Sequence, residues 1–171
     1  MKKAIGMVEF KTVSSGMRAA DRMVKTADVE LLQADTVCPG KFLALISGDL
    51  SAVKAAVEAA SVGDAEQLID TFVLGNPHDS IFSALYGASE IGNPNALGVL
   101  ETFSAAAAIV AADVAAKTAL VELIELRLAR GMCGKSYLLL TGEIAAVEAA
   151  IERAKQGAGE NGMFLDSAVI P

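Results

Sequence analysis

The strongest constraint on this 171-residue chain is that it is written twice. AIGMVEF, from Ala4, returns as ALGVLET from Ala96, a shift of about 92 residues. AADRMVKTADVEL, from Ala19, returns as AADVAAKTALVEL from Ala111, which keeps Asp21/Asp113, Lys25/Lys117 and Glu30/Glu122 in step. After a two-residue insertion, GKFLALISGDLSAVKAAVE from Gly40 is answered by GKSYLLLTGEIAAVEAAIE from Gly134. A period of this length means two copies of one folding unit. The expected domains are 1–90 and 91–171, joined near residues 87–94.

Each copy carries the same succession of periodicities. Residues 4–10 read as a strand, and Met17, Ala20, Val24 and Ala27 recur at helical spacing. Strands at 29–37 and 42–47 flank a Pro39-Gly40 turn. Asp49 can cap a second helix bearing Ala52, Val53, Ala56, Val57 and Ala60, and residues 68–74 form the last strand. The order βαββαβ is the ferredoxin-like α+β arrangement, with helices on one side of an antiparallel sheet.

Composition narrows the partners. Apolar residues make up 53% of the chain and mean hydropathy is +0.47, yet no apolar run reaches the roughly 20 residues of a membrane span. Small domains bury only about 60% of their unfolded surface, so the surplus predicts contact with partner subunits. A net charge of −7, with no basic cluster, argues against nucleic acid. The opening Met1-Lys2-Lys3 and short strand lack the apolar core and cleavage site of a signal peptide, so the chain reads as cytoplasmic. Cys38 and Cys133 lie far apart with no CxxC pair, which predicts reduced thiols instead of a disulfide scaffold.

In both halves, AIGMVEF, AADRMVKTADVEL and GDLSAVKAAVE resemble the bacterial microcompartment shell-protein family. The doubling is similar to the tandem branch of that family. Membership implies a homotrimer that imitates a hexagon of six domains, lateral contact with other shell proteins, a place in the cytoplasmic compartment shell, and no enzyme activity. Within the branch, TVCPGKF, from Thr36, resembles the iron–sulfur-binding propanediol-utilisation type. That resemblance implies that Cys38 faces the three-fold axis, where three copies hold a four-iron, four-sulfur cluster. It further implies electron transfer across the shell, with redox enzymes of the compartment as partners, and cluster loss in aerobic preparations. The family's lysines in the first-helix motif lie at tile edges, a role this assigns to Lys25 and Lys117; by position alone, each is a cation favoured at a helix C-terminus and needs no further role. Relatives often continue past the position of Pro171 with basic residues and a histidine.

Spacing alone is less specific. Cys38 has no Cys or His neighbour at ligand spacing, whereas a cluster needs about four thiolates, so a small buried apolar residue stays open beside a ligand. Three-fold symmetry would supply three sulfurs and leave the fourth iron to water or a small thiol. Without a cluster, Cys38, Pro39 and Gly40, with Met132, Cys133 and Gly134 of the equivalent second loop, would line a pore for small metabolites. Cys133 reads as a free thiol packed beside Met132. Gly134-Lys135-Ser136 fails as a phosphate loop, since its first glycine would fall at Ala129 and no helix comes after it. His78 is the chain's one histidine and reads as structural or as an edge contact. Glu9 and Glu101 repeat without a nucleophile, so no catalytic set emerges. A ferredoxin-like enzyme or ligand-binding sensor remains the alternative of another class.

Overall fold

The computed structural model describes residues 4–92, 94–160 and 162–171. Met1-Lys2-Lys3, Asn93 in the expected joint, and Asn161 lie outside the described residues. The chain forms two compact units, 1–77 and 78–171.

The first unit runs β1 (Ala4–Phe10), α1 (Val13–Thr26), β2 (Val29–Val37), β3 (Lys41–Gly48), α2 (Leu50–Gly63), a 3-10 turn (Ala65–Gln67) and β4 (Leu68–Gly75). Its antiparallel sheet has the order β2-β3-β1-β4, so the strand pairs adjacent in sequence are bridged by helices except at the β2–β3 hairpin. Register places Val8 opposite Ala44 and Phe10 opposite Phe42. These side chains form one core with Ala19, Ala20 and Met23 of α1 and Val53, Ala56, Val57 and Ala60 of α2. The opposite face is also buried at Ile5, Met7, Leu43 and Leu45. Burial on both sides explains why β1 and β3 read as nearly continuous apolar runs instead of alternating ones.

The second unit adds α3 (Ser80–Leu85) ahead of β5 (Ala96–Thr102), α4 (Ala105–Thr118), β6 (Glu122–Arg127), β7 (Ser136–Gly142), α5 (Ile144–Gly159) and β8 (Phe164–Ile170). The sheet order β6-β7-β5-β8 repeats that of the first unit. Here the helix-facing leucines Leu100, Leu138 and Leu140 are fully buried, while Leu97, Val99 and Leu139 on the other face are half-buried. Ser104 caps α4 by accepting from Ala107 N at 3.1 Å. Among the described residues no helix is long and apolar enough to cross a membrane.

Three sequence expectations change. The buried side of α1 is Ser15, Gly16, Ala19, Ala20 and Met23, whereas Met17 and Val24 are 58% and 42% exposed. The neighbouring stripe Ala19, Ala20, Met23 has small residues that admit close packing on β3, and that decides which side faces the sheet. Asp49 occupies the N-cap position of α2 but its side chain makes no capping hydrogen bond. The units part at Pro77 and His78, ahead of the expected joint, because residues 78–90 pack on the second repeat. Ile81 and Ala84 of α3 are fully buried, and His78 N–H donates to Asp113 Oδ1 at 2.8 Å.

Candidate functional site: the two hairpin loops

The β2–β3 loop is a tight turn between Val37 and Lys41. Gly40 N–H donates to Val37 O at 2.9 Å, the Cys38–Pro39 bond is cis, and Gly40 has φ of 91°. That left-handed conformation suits a residue without Cβ. Val37 anchors the turn in the core, Cys38 is half-buried, and Pro39 and Gly40 are exposed. Beneath the loop, on the sheet face opposite the helices, Lys41 Nζ lies 2.8 Å from Glu9 Oε1, with Glu9 almost wholly buried. Glu9 is therefore a structural counter-charge that fixes the start of β3.

The β6–β7 loop is longer and built differently. Leu128 and Ala129 are buried, and Ala129 N–H donates to Ser136 Oγ at 3.0 Å. Ala129, Gly131, Cys133 and Gly134 all have positive φ, and Lys135 N–H donates to Met132 O at 3.1 Å. Cys133 is exposed and Met132 half-buried, so the packed-thiol expectation for Cys133 gives way to a thiol held outward by its left-handed backbone. Glu101 and Lys135 repeat the Glu9–Lys41 relation at 3.9 Å. Both cysteines are free thiols. Among the described residues no three His, Cys, Asp or Glu side chains gather as a metal site, so any cluster ligated by Cys38 needs further copies of the chain.

Away from the loops, Lys25 pairs with Asp21 and Lys117 with Asp113, each at 2.7 Å and each one helical turn apart. His78 Nδ1 lies 2.8 Å from Ser80 Oγ at the start of α3, a local structural contact. Two polar groups were not legible as sites. Tyr137 OH donates to Glu125 at 2.7 Å, with Arg127 over the ring. Burial, and after it the hydrogen bond to Glu125, raises the Tyr137 phenol above its ordinary range.

Arg18, Arg22 and Ser15 surround Asp64, and Ser15, Arg18 and Asp64 line an open cleft of about 690 Å³. The repeat hides this group, because Val110, Val114 and Ala158 stand at the matching positions. The hydrogen bond from Arg18 holds the Asp64 carboxyl below the usual carboxylate range, against the effect of burial. A depressed folded pKa stabilises above the unfolded value, near pH 4, and that contribution disappears as pH falls through the folded value. Urea midpoints of the wild type and Arg18→Ala should therefore be separated at pH 6 and converge toward pH 3. Parallel curves would refute the link.

Known proteins now give this geometry its context. A family model described as the BMC domain matches residues 4–77 and again 96–171. The chain belongs to the microcompartment shell-protein family. Over all 171 residues it is 39% identical to the bacterial microcompartment shell protein PduT of Citrobacter freundii, covering 93% of that protein. It is 34% identical over 82 residues to the shell protein PduA of the same organism, a match that takes 47% of this chain and 88% of PduA. One solved structure, a microcompartment protein from Desulfitobacterium hafniense, superposes with a TM-score of 0.96 at 44% identity, covering 100% of this chain and 95% of that one. A fused permuted hexameric shell protein from the RMM microcompartment matches at 0.66 and 25% identity, over 91% and 83% of the two chains. As a tandem BMC-domain protein the chain is a structural shell component, not an enzyme, and its place is the microcompartment shell. The alternative of an unrelated enzyme or sensor falls with this result.

Proposed function

We propose that three copies close into a pseudohexagonal tile in which three Cys38 sulfurs meet on the axis and hold a four-iron, four-sulfur cluster. The observation that carries the tile is the doubling itself, because the BMC domain matches twice and about half of the chain matches most of the shell protein PduA. Three such chains supply six equivalent positions around one axis. The half-open second face of the β5-β7 sheet is surface for a neighbouring copy. Lys25 and Lys117, exposed on equivalent helix ends, fall at the tile edges and contact neighbouring shell proteins.

The cluster reading rests on the placement of Cys38. A thiol at the tip of a turn anchored by Val37 and the Glu9–Lys41 pair is rigid and accessible, which suits a ligand contributed once per chain. When bound, the cluster supplies one-electron transfer across the shell, to redox enzymes of the compartment. The chain's own part is to hold the three sulfurs and to close the axis with Pro39 and Gly40. The exposure of Pro39, Gly40 and Cys133 favours a second reading, a cluster-free pore lined by Cys38, Pro39, Gly40, Met132, Cys133 and Gly134.

Anaerobic reconstitution with iron and sulfide separates the two. The wild type is expected to take up about four irons per trimer with matching absorbance, and Cys38→Ser none. Cys133→Ser should behave as the wild type. A trimer that stays metal-free would leave the pore, and a monomer by mass would remove the tile.

A further inference from the structure

The outer faces of the two sheets, the sides turned away from the helices, carry different residues. In the first repeat this face bears Ile5, Met7, Leu43 and Leu45, none of which has any exposure. In the second the matching residues are Leu97, Val99, Tyr137 and Leu139, all half-buried. Register sets Glu125 opposite Leu139 and Arg127 opposite Tyr137, so both charges share that half-open face. One oxygen of Glu125 accepts from the Tyr137 hydroxyl at 2.7 Å, and the other from Arg127 Nε and Nη2 at 2.9 and 2.7 Å. The guanidinium carbon stands 5.4 Å from the centre of the Tyr137 ring. The first repeat holds Gln33, Asp35 and Leu43 at these three places and cannot build such a cation–ring stack.

The contrast has a physical reason. A face buried within one chain has its cover attached covalently, so high local concentration holds it and plain apolar contact suffices. A face covered by a second copy assembles from free chains and must offset the lost translational and rotational freedom. Interfaces do so through a few large anchors, with Tyr and Arg prominent among them. Glu125 lowers the ordering cost further, because it fixes the ring and the guanidinium before any partner arrives. Arg127 Nη1 makes no hydrogen bond among the described residues, and the Tyr137 oxygen keeps acceptor capacity, so one donor and one acceptor stand ready beside apolar Val99 and Leu139. We infer that Tyr137 and Arg127, set in place by Glu125, determine how tightly a second copy of the chain binds the β5–β7 face. The inference rests on the tile proposed above and names the side chains on which the seam between its copies depends. A second copy is the occupant because the repeats are one folding unit, and what buries this face in the first repeat is part of the same chain.

The test uses the whole chain. Isotope-labelled and unlabelled protein are mixed, the growth of mixed trimers is followed by native mass spectrometry, and urea unfolding checks the fold of each variant. Tyr137→Leu installs the first repeat's own residue, and Arg127→Ala alters a side chain that is 48% exposed, so both keep the fold. Each is expected to speed subunit exchange about tenfold or more. Arg127→Glu, which sets a second carboxylate beside Glu125, should give a folded monomer. Lys155→Ala removes the cation over Phe164 on the helix side of the sheet and should exchange as the wild type. Exchange unchanged by both Tyr137→Leu and Arg127→Ala, or a stable trimer of Arg127→Glu, would overturn the inference while the tile stands. A wild type that is itself monomeric removes the tile, and the seam with it.

Discussion

A chain carrying Gly16→Ala is expected to lose about 2 kcal/mol of stability, even though alanine is the better helix former by about 1 kcal/mol. A Cβ at Gly16 would lie 2.3 Å from Cδ1 of Phe42 and 2.5 Å from its Cβ and Cγ. Phe42 is 3% exposed and sits opposite Phe10, so the ring has no free volume to enter, and its Cβ moves only with β3. Overpacking of this kind costs about 1–3 kcal/mol and sometimes more, which outweighs the gain in propensity. The second repeat solves the same contact in reverse. Ala108 stands where Gly16 does and Ser136 where Phe42 does, a larger residue on the helix against a smaller one on the strand. Phe42→Ser alone should cost about 3–5 kcal/mol through the cavity it opens. The double variant should be more stable than the sum of the two single effects by about 1 kcal/mol or more, because the added methyl no longer meets the ring. Urea unfolding of all four forms measures this coupling. A neutral or stabilising Gly16→Ala would show that α1 does not approach β3 so closely.

The Asp113 and Asp21 ion pairs supply the second large effect, since one motif is present in two environments. Asp113→Ala is expected to cost about 2 kcal/mol, because it leaves the His78 amide without its Asp113 acceptor and breaks the ion pair of Asp113 with Lys117 at a nearly buried position. Asp21→Ala should cost about 0.5 kcal/mol or less, the usual worth of an exposed pair one helical turn apart. Asp113→Asn, which can keep an oxygen on His78, should recover part of the loss. Hydrogen exchange gives the local readout: protection of the His78 amide and of α3 should fall in Asp113→Ala while β1–β4 are unaffected. Equal costs at the two aspartates would mean that α3 contributes nothing to holding residues 78–92 on the second unit.

The sequence legibly contained the repeat and, through it, the order and nearly the limits of the strands and main helices. Each element was sampled twice, so positions that agree, such as AIGMVEF with ALGVLET, report constraints of the fold. The cysteine turn was equally visible, because Pro and Gly act through local backbone geometry. Other features depended on what came to lie beside them. Apolar spacing put Met17 and Val24 on the inner side of α1, yet small Ala19 and Ala20 turned inward, since closeness to the sheet and not hydropathy alone decides a helix's rotation. Arg18, Arg22 and Asp64 meet across more than 40 residues of sequence, and no local pattern links them. Nor could spacing say which domain owns residues 78–90, because a short apolar helix belongs to whichever surface buries it.

By itself, then, the sequence determined a doubled βαββαβ chain of the shell-protein family, with one thiol at the tip of its first hairpin. Tertiary structure alone decided that α3 covers the second repeat, that Glu9 answers Lys41 beneath the loop, and that Cys133 turns outward. The physical reason is the same throughout: periodicity and turn chemistry act between near neighbours and can be read along the chain, whereas burial and charge pairing are fixed by surfaces that meet only after it folds.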